Sequence, residues 1–143
     1  MILIAHRGNL SGSNPETENT PQQILFAIEK GFDVEIDVWY KDGNWYLGHD
    51  EPLHKIDWSF IENKRKNLWV HVKNLDAVEM LNKSYPRINW FWHQEDCVTL
   101  TSQGYVWCFP GYETEGGIMV DHGQKTDKKM FGVCTDNPLR WKQ

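Results

Sequence analysis

Residues 32–40 read FDVEIDVWY, and apolar and acidic side chains alternate along most of this stretch. A period of two predicts a β-strand with its aliphatic residues on one face and its carboxylates on the other. In a free-standing sheet the carboxylates would face solvent, whereas in a barrel they can face the interior near its mouth. Glu35 and Asp37 share one face, so together they can hold a divalent cation.

A histidine motif lies on each side of this stretch, where an apolar run gives way to polar residues. The first reads AHRG at 5–8, and the second reads GHD at 48–50. Two histidines can supply a general base and a general acid, and the Arg7 guanidinium can bind an anion. Together with the carboxylates, these groups suit the cleavage of a phosphodiester.

Short apolar runs predict the rest of the secondary structure. Thr20 is a good helix N-cap, Pro21 suits the first turn and Gln23 completes a capping box, so a helix is expected from there to Gly31. Strands are expected at 2–6, 32–40, 44–48, 68–72, 89–92, 105–109, 118–120 and 132–134, with further helices at 58–64 and from 75 to a stop at 85–86. The sequence therefore predicts about eight strands, with clear helices after only some of them.

The composition limits the classes of function. A chain of 143 residues suits a single domain, 1–143, with a core of its own. The net charge of -5, without a long run of Lys or Arg, argues against a general nucleic-acid or anionic-membrane binder. Three cysteines without C-x-x-C spacing argue against a disulfide framework or zinc site and fit a reducing, cytoplasmic setting. The apolar run at 2–5 is too short for a signal or a membrane anchor.

The order of these motifs resembles that of the glycerophosphodiester phosphodiesterases, a family of the PLC-like phosphodiesterase superfamily. The matching motifs are HRG at 6–8, ENT at 18–20, EID at 35–37 and HD at 49–50. Thr17 stands where the family has a proline. Beyond residue 50 the likeness thins to Lys73 and to GVCTDNP at 132–138, which is similar to the family's last strand.

The resemblance implies a (β/α)8 TIM-type barrel, and a count of about eight strands agrees with that. Such barrels typically have ~250 residues, so this chain is expected to form a reduced barrel with several outer helices missing or shortened. Strand faces left uncovered would be apolar and would favour a homo-oligomer. An open α/β sheet is the competing fold.

The resemblance also implies roles for the site residues. His6 and His49 would be the acid–base pair of the reaction. Glu35 and Asp37 would be ligands of Mg²⁺ or Ca²⁺, with Mn²⁺ as a further choice. The two histidines could instead be hydrogen-bonded core residues, and the two carboxylates could instead lie on a solvent-exposed strand face.

Two positively charged side chains, Arg7 and Lys73, and one further carboxylate, Glu18, complete the expected site. Arg7 and Lys73 would neutralise the phosphate oxygens of a small-molecule substrate as negative charge develops there. Arg7 is equally well explained as a structural ion pair, with Glu18 as its partner. A polar cluster at 93–96 fits a hydrophilic loop as well as it fits a substrate contact.

The chain departs from the family at His71, where the resemblance implies a third carboxylate two residues before Lys73. Imidazole is a poorer ligand than carboxylate for Mg²⁺ or Ca²⁺ and a better one for Mn²⁺ or Zn²⁺. The cation could keep two carboxylates plus water, or it could be a softer ion that also binds His71. Alternatively, another acid such as Asp121 or Glu95 could replace the missing ligand, or the site could be degraded.

The expected function is metal-dependent hydrolysis of a glycerophosphodiester-type substrate to a phosphomonoester and an alcohol. Two alternatives stay open at this point. One is a non-catalytic module that binds phosphate or a phosphodiester, and the other is a hydrolase of a different diester, such as a sugar-phosphate or a lysophospholipid.

Overall fold

The structure is a computed structural model, and it describes residues 1–142. Its regular elements are β1 (Ile2–His6), α1 (Pro21–Glu29), β2 (Asp33–Lys41), β3 (Asn44–Leu47), β4 (His54–Ile56), α2 (Trp58–Lys64), β5 (Leu68–Val72), α3 (Leu75–Ser84), β6 (Trp90–Phe91), β7 (Val98–Leu100), β8 (Val106–Cys108), β9 (Ile118–Val120), β10 (Gly132–Thr135) and α4 (Pro138–Trp141). Each of the eight expected strand runs overlaps one of these strands. None of the helices in residues 1–142 combines the length and apolar character needed to cross a membrane.

Seven strands form a parallel sheet in the order β6-β5-β2-β1-β10-β9-β8. The β3–β4 hairpin extends β2 in the antiparallel sense, and β7 runs antiparallel to β8. Since the seven strands are parallel, their carboxyl ends lie along one rim of the sheet. The ends of β1, β2 and β5 are therefore brought together there.

The expectation of a reduced (β/α)8 barrel is wrong. Residues 1–142 contain ten strands, which form a curled half-barrel sheet, and four short helices. The sheet does not close into a barrel, because no strand ladder in that range joins β6 to β7 or β8. The reason lies in the connections, because a parallel pair normally needs a helical crossover of a dozen or more residues. The chain between β8 and β9 (109–117) and between β9 and β10 (121–131) is short and irregular, so neither of these connections supplies an outer helix.

The two faces of the sheet are buried in different ways. On the convex face of β2, Val34, Ile36 and Val38 are fully buried and belong to the large core cluster that includes Ile24 of α1 and Leu81 of α3. On the concave face a second cluster fills the curl, with Ile4, Trp69, Phe91, Trp107, Ile118 and Cys134 as its buried members. Its aromatic rings bridge the open side, since Phe91 of β6 stacks on Trp107 of β8 with ring centroids 4.5 Å apart.

Candidate active site

The concave face carries ionisable groups where β1, β2 and β5 end. The strand register pairs His6 with Glu35 and Asp37 with His71, so these side chains share one face. His6, Glu35 and His71 line a pocket of about 350 Å³, and Asp37 is buried behind them. The lining of this pocket also includes Arg7, His49, Lys73, Phe91, His93, Gln94, Trp107, Phe109, Pro110, Val120, His122 and Cys134.

Glu35, Asp37 and His71 form the one cluster in residues 1–142 whose ligand atoms could share a metal ion, with all three atoms within 4.8 Å of one another. His71 Nδ1 lies 3.2 Å from Asp37 Oδ1 and 3.6 Å from Glu35 Oε1. Asp37 Oδ1 is buried and has no hydrogen-bond partner among the described residues. An orphaned carboxylate oxygen beside two further donor atoms fits a bound cation.

The other oxygen of Asp37 is held by Asn19. The Asn19 amide donates to Asp37 Oδ2 at 2.8 Å, and the backbone N–H of Asp37 donates to Asn19 Oδ1 at 3.0 Å. Asn19 has a φ of 56°, a left-handed conformation that asparagine tolerates better than most residues. This double hydrogen bond fixes the carboxylate, and sequence reasoning assigned Asn19 no role.

A backbone carbonyl orients His71. His71 Nε2 lies 2.8 Å from the carbonyl oxygen of His93, which can only accept, so Nε2 carries a proton and Nδ1 faces the carboxylates. Burial opposes the charged form, but the neighbouring Asp37 and Glu35 outweigh it and raise the pKa of His71 to about 9. For Asp37, burial is outweighed by His71, Lys73 and Asn19, which lower its pKa to about 2. A cation that binds His71 Nδ1 therefore has to displace a proton.

His6 is oriented by a carboxylate from the far end of the chain. Its Nδ1 lies 2.9 Å from Asp136 Oδ1, and its Nε2 lies 3.8 Å from Glu35 Oε2. Burial opposes the imidazolium, but the bond to Asp136 and the charge of Glu35 prevail, so the pKa of His6 is raised. This arrangement leaves Nε2 as the nitrogen that can exchange a proton in the pocket. Asp136 directly follows β10, and only its position at the end of the last strand could have indicated it.

Arg7 is committed to protein carboxylates. Its Nη1 donates to Glu18 Oε1 at 3.0 Å, and its Nε lies 3.4 Å from Asp37 Oδ2. Its backbone N–H donates to Glu35 Oε2 at 3.2 Å, and its φ of 54° turns the chain sharply at the end of β1. The structural ion pair with Glu18 is therefore present, although Arg7 also lines the pocket.

The turn after β1 is braced by α1. Thr20 Oγ1 accepts from the Gln23 backbone N–H at 3.2 Å, as an N-cap should. The Gln23 side chain does not complete the expected capping box, because it donates to the Gly8 carbonyl at 2.8 Å. A helix side chain therefore fixes the backbone next to Arg7.

His49 reaches the same pocket from the loop after β3. Its Nδ1 lies 2.8 Å from Asp50 Oδ1, and its side chain is 37% exposed beside an Asp50 that is 92% exposed. The loop needs glycine at 48, because a Cβ there would lie 2.0 Å from the Glu51 carbonyl oxygen. The tight turn and the contact with Asp50 therefore position His49. Because Asp50 is almost fully exposed, water screens the electrostatic attraction between the two side chains.

Lys73 and His93 complete the polar lining. Lys73 Nζ lies 3.9 Å from Asp37 Oδ1. His93 Nδ1 lies 2.6 Å from Asp96 Oδ2, and its side chain is only 11% exposed. The bond to Asp96 therefore holds the His93 side chain in place, and the backbone carbonyl of His93 orients His71.

Asp121 and Glu95 lie outside the cluster that Glu35, Asp37 and His71 form in residues 1–142. Asp121 Oδ2 accepts from Thr135 Oγ1 at 2.9 Å and from Trp141 Nε1 at 3.0 Å, and it borders a different pocket. Glu95 is exposed in the loop after β6. Of the third ligands considered, His71 is the one beside Glu35 and Asp37.

No protein-family model, curated protein or solved structure matches the chain.

Proposed function

We propose that this protein hydrolyses a phosphodiester of the glycerophosphodiester type to a phosphomonoester and an alcohol, with a divalent cation and histidine acid–base catalysis. One observation carries the proposal. His6, oriented by Asp136 at 2.9 Å, presents Nε2 3.8 Å from Glu35 Oε2, so a proton-transfer group and a cation ligand meet in one pocket. The motif order that resembles the glycerophosphodiester phosphodiesterases supports the same reaction.

The cation ligands, the two histidines and Asp136 would each have a separate role in the proposed hydrolysis. Glu35, Asp37 and His71 would hold the cation, which when bound would draw off negative charge from the phosphoryl oxygens. One of His6 and His49 takes a proton from the attacking water, whose oxygen bonds to phosphorus, and the other gives a proton to the leaving alkoxide as its P–O bond breaks. Asp136 keeps the imidazole of His6 in the tautomer with Nε2 available.

The two positively charged side chains, Lys73 and Arg7, act in different ways. Lys73 lines the pocket and lies 3.9 Å from Asp37 Oδ1, so it can approach a phosphoryl oxygen. Arg7 contributes mainly by fixing Asp37 and Glu18, because two carboxylates already neutralise its guanidinium.

The test is hydrolysis of glycerophosphodiesters with Mg²⁺, Ca²⁺, Mn²⁺ or Zn²⁺, with a chelator as the control. We expect turnover that the chelator abolishes, and we expect His6→Ala to lower kcat/KM by about 10²- to 10⁴-fold. His54→Ala is the matched control, because His54 lies in β4 and does not line the pocket. Wild-type turnover in folded His6→Ala protein would contradict the assignment.

A non-catalytic phosphodiester-binding module is the second candidate, and the position of His71 favours it. A protonated His71, 3.6 Å from Glu35 and 3.2 Å from Asp37, would itself supply the positive charge that a bound cation would otherwise bring. This candidate predicts saturable binding of glycerol phosphate without turnover under any of the four ions.

A diester with a more apolar alcohol, such as a lysophospholipid, is the third candidate. The lining of the pocket includes the apolar residues Phe91, Trp107, Phe109 and Val120. Relative rates for glycerol, choline-containing and acylated substrates would separate it from the first candidate.

A further inference from the structure

We infer that the Glu35–Asp37–His71 triad selects a transition-metal ion of the Mn²⁺ to Zn²⁺ series over Mg²⁺ and Ca²⁺, with His71 Nδ1 as the third ligand. The inference rests on the cation site of the proposed function and gives that site a chemical preference. It comes from the contacts of His71 rather than from the presence of two carboxylates.

The first step is the direction of the nitrogen lone pair. Because His71 Nε2 donates to the His93 carbonyl at 2.8 Å, Nδ1 is the ring nitrogen left to bind a cation. It lies 3.2 Å from Asp37 Oδ1 and 3.6 Å from Glu35 Oε1. A histidine that binds a metal through one nitrogen usually donates the other N–H to a carbonyl or carboxylate, which is the arrangement here.

The second step is the rigidity and spacing of the donors. The His71 ring stacks on Phe91 with a centroid distance of 5.0 Å and an interplanar angle of 13°. Asp37 is anchored by Asn19 through Oδ2, which leaves the buried Oδ1 without a hydrogen bond in residues 1–142. Ligand atoms that share one ion at about 2.1 Å lie up to about 4.2 Å apart, so donors within 4.8 Å need little movement to coordinate.

The third step is that the other nearby carboxylates are already engaged. Glu18 pairs with Arg7 at 3.0 Å, and Asp136 Oδ1 accepts from His6 at 2.9 Å and from Asn9 at 2.8 Å. Ca²⁺ requires six to eight oxygen ligands and Mg²⁺ favours oxygen in octahedral geometry. A site with two carboxylates and one imidazole instead suits ions that accept nitrogen readily.

The experiment is metal binding to the full chain without substrate. Calorimetric titrations with Mn²⁺, Zn²⁺, Mg²⁺ and Ca²⁺ give the order of affinities, and pulsed EPR of the Mn²⁺ complex detects ¹⁴N coupled to the ion. We expect Mn²⁺ and Zn²⁺ to bind at least about tenfold more tightly than Mg²⁺ and Ca²⁺. We also expect a ¹⁴N coupling from imidazole in the wild-type protein.

His71→Glu should remove this preference. The Mn²⁺ and Zn²⁺ affinities should fall relative to those of Mg²⁺ and Ca²⁺ by about 10- to 100-fold, and the ¹⁴N coupling should disappear. His122→Glu is the matched control, since it makes the same substitution at an exposed residue that lines the pocket outside the triad. It should keep both the order of affinities and the coupling.

Three results would overturn the inference: equal binding of Mg²⁺ and Mn²⁺, a Mn²⁺ complex without ¹⁴N coupling, or no metal binding at all. All three need only wild-type protein, so misfolding of a variant cannot obscure them. Selective metal binding without hydrolysis of any diester would overturn the proposed function and leave this inference standing. Hydrolysis supported by Mg²⁺ without ¹⁴N coupling in the Mn²⁺ complex would do the reverse.

Discussion

The two halves of the sheet carry different side chains on the same concave face. In the half formed by β1, β2 and β5 the side chains near the carboxyl ends of the strands are ionisable, namely His6, Glu35, Asp37 and His71. The apolar Ile4 and Trp69 lie on the same face, further from those ends. In the half formed by β6 and β8–β10 the side chains are mainly apolar, namely Phe91, Trp107, Ile118 and Cys134. Helices α1 and α3 pack behind β2, whereas irregular segments connect the strands of the second half. One half therefore carries most of the ionisable groups of the pocket, and the other carries most of its apolar lining.

The largest expected difference between the halves concerns buried charge. Asp37→Ala should lower the free energy of unfolding by about 3–5 kcal/mol, because it removes a buried carboxylate from both His71 and Arg7. His71 then keeps only Glu35, and Arg7 keeps only Glu18. Urea denaturation of the wild type and the variant measures the effect. Cation binding should be lost together with stability.

Asp121→Ala is the matched control in the second half. Asp121 accepts hydrogen bonds from Thr135 and Trp141 but pairs with no buried cation in residues 1–142. Its removal should cost about 1–2 kcal/mol and leave cation binding intact. Equal losses of stability in the two variants would remove the distinction between the halves.

The second prediction concerns Asp136, the residue through which the apolar half contributes to the chemistry. Asp136→Asn should lower kcat/KM by about 10- to 100-fold, less than His6→Ala, because the imidazole remains but its orientation is weakened. It should also lower the pKa of His6, since burial then meets less opposition. Steady-state rates and NMR titration of the His6 ring measure the two effects.

The sign of the pH dependence follows from the raised pKa of His6. A histidine with a raised pKa in the folded state stabilises the protein below its unfolded pKa, and this stabilisation is lost as pH rises through the folded pKa. Despite burial, the bond to His6 lowers the pKa of Asp136, and the pair is also lost where this carboxylate is protonated. Asp136→Asn should therefore reduce stability most between the lowered pKa of Asp136 and the ordinary pKa of histidine, and its difference from the wild type should shrink as pH rises past the folded pKa of His6. A difference that grows as pH rises through this upper range would contradict the role of Asp136.

The third prediction is a smaller effect within the ionisable half. Asn19→Ala removes both hydrogen bonds to Asp37 and should cost about 1–3 kcal/mol in the free energy of unfolding. Asn14→Ala is a useful comparison, because Asn14 is exposed in the same loop and should change stability by less than about 0.5 kcal/mol. If the Asn19 variant is as stable as the Asn14 variant, Asp37 is not anchored as described.

The sequence predicted the ionisable half better than the apolar half, for physical reasons. Parallel pairing puts the ends of β1, β2 and β5 at one rim, so short local motifs placed His6, Glu35, Asp37 and His71 together. The curl and its lack of closure depend on long-range packing, which an alternating pattern does not encode. Strands β4 (HKI) and β7 (VTL) were missed because each is three residues long and contains polar side chains, whereas the equally short β8 (VWC) and β9 (IMV) are wholly apolar.

Two parts of the site also required the fold. Asp136 is 130 residues from His6 along the chain, and no local pattern links the two. Asn19 lies in a motif that the resemblance highlighted, but its bond to Asp37 depends on a turn at φ 56°. The His6–Asp136 pair forms because β1 lies beside β10, and the Asn19–Asp37 pair forms because β1 and the loop after it lie beside β2.

The smallest effect expected tests how tightly the two halves are joined at the β1–β10 ladder. Cys97 is exposed, whereas Cys108 and Cys134 are buried. Burial, reinforced by Glu35 and Asp136, raises the pKa of Cys134 well above its ordinary value. A thiol reagent should therefore modify Cys97 rapidly in the native protein and reach the other two at rates set by opening of the structure.

Cys134 lies in β10 beside Ile4 of β1, so its labelling rate reports separation of the halves. If the halves form one cooperative unit, Cys134 labelling should require the full free energy of unfolding measured in urea. The Cys97→Ser variant, which removes the fast phase, makes that rate measurable. Labelling of Cys134 well below the global free energy would mean that the apolar half detaches while the ionisable half stays folded, and the pocket would then open by separation of β10 from β1.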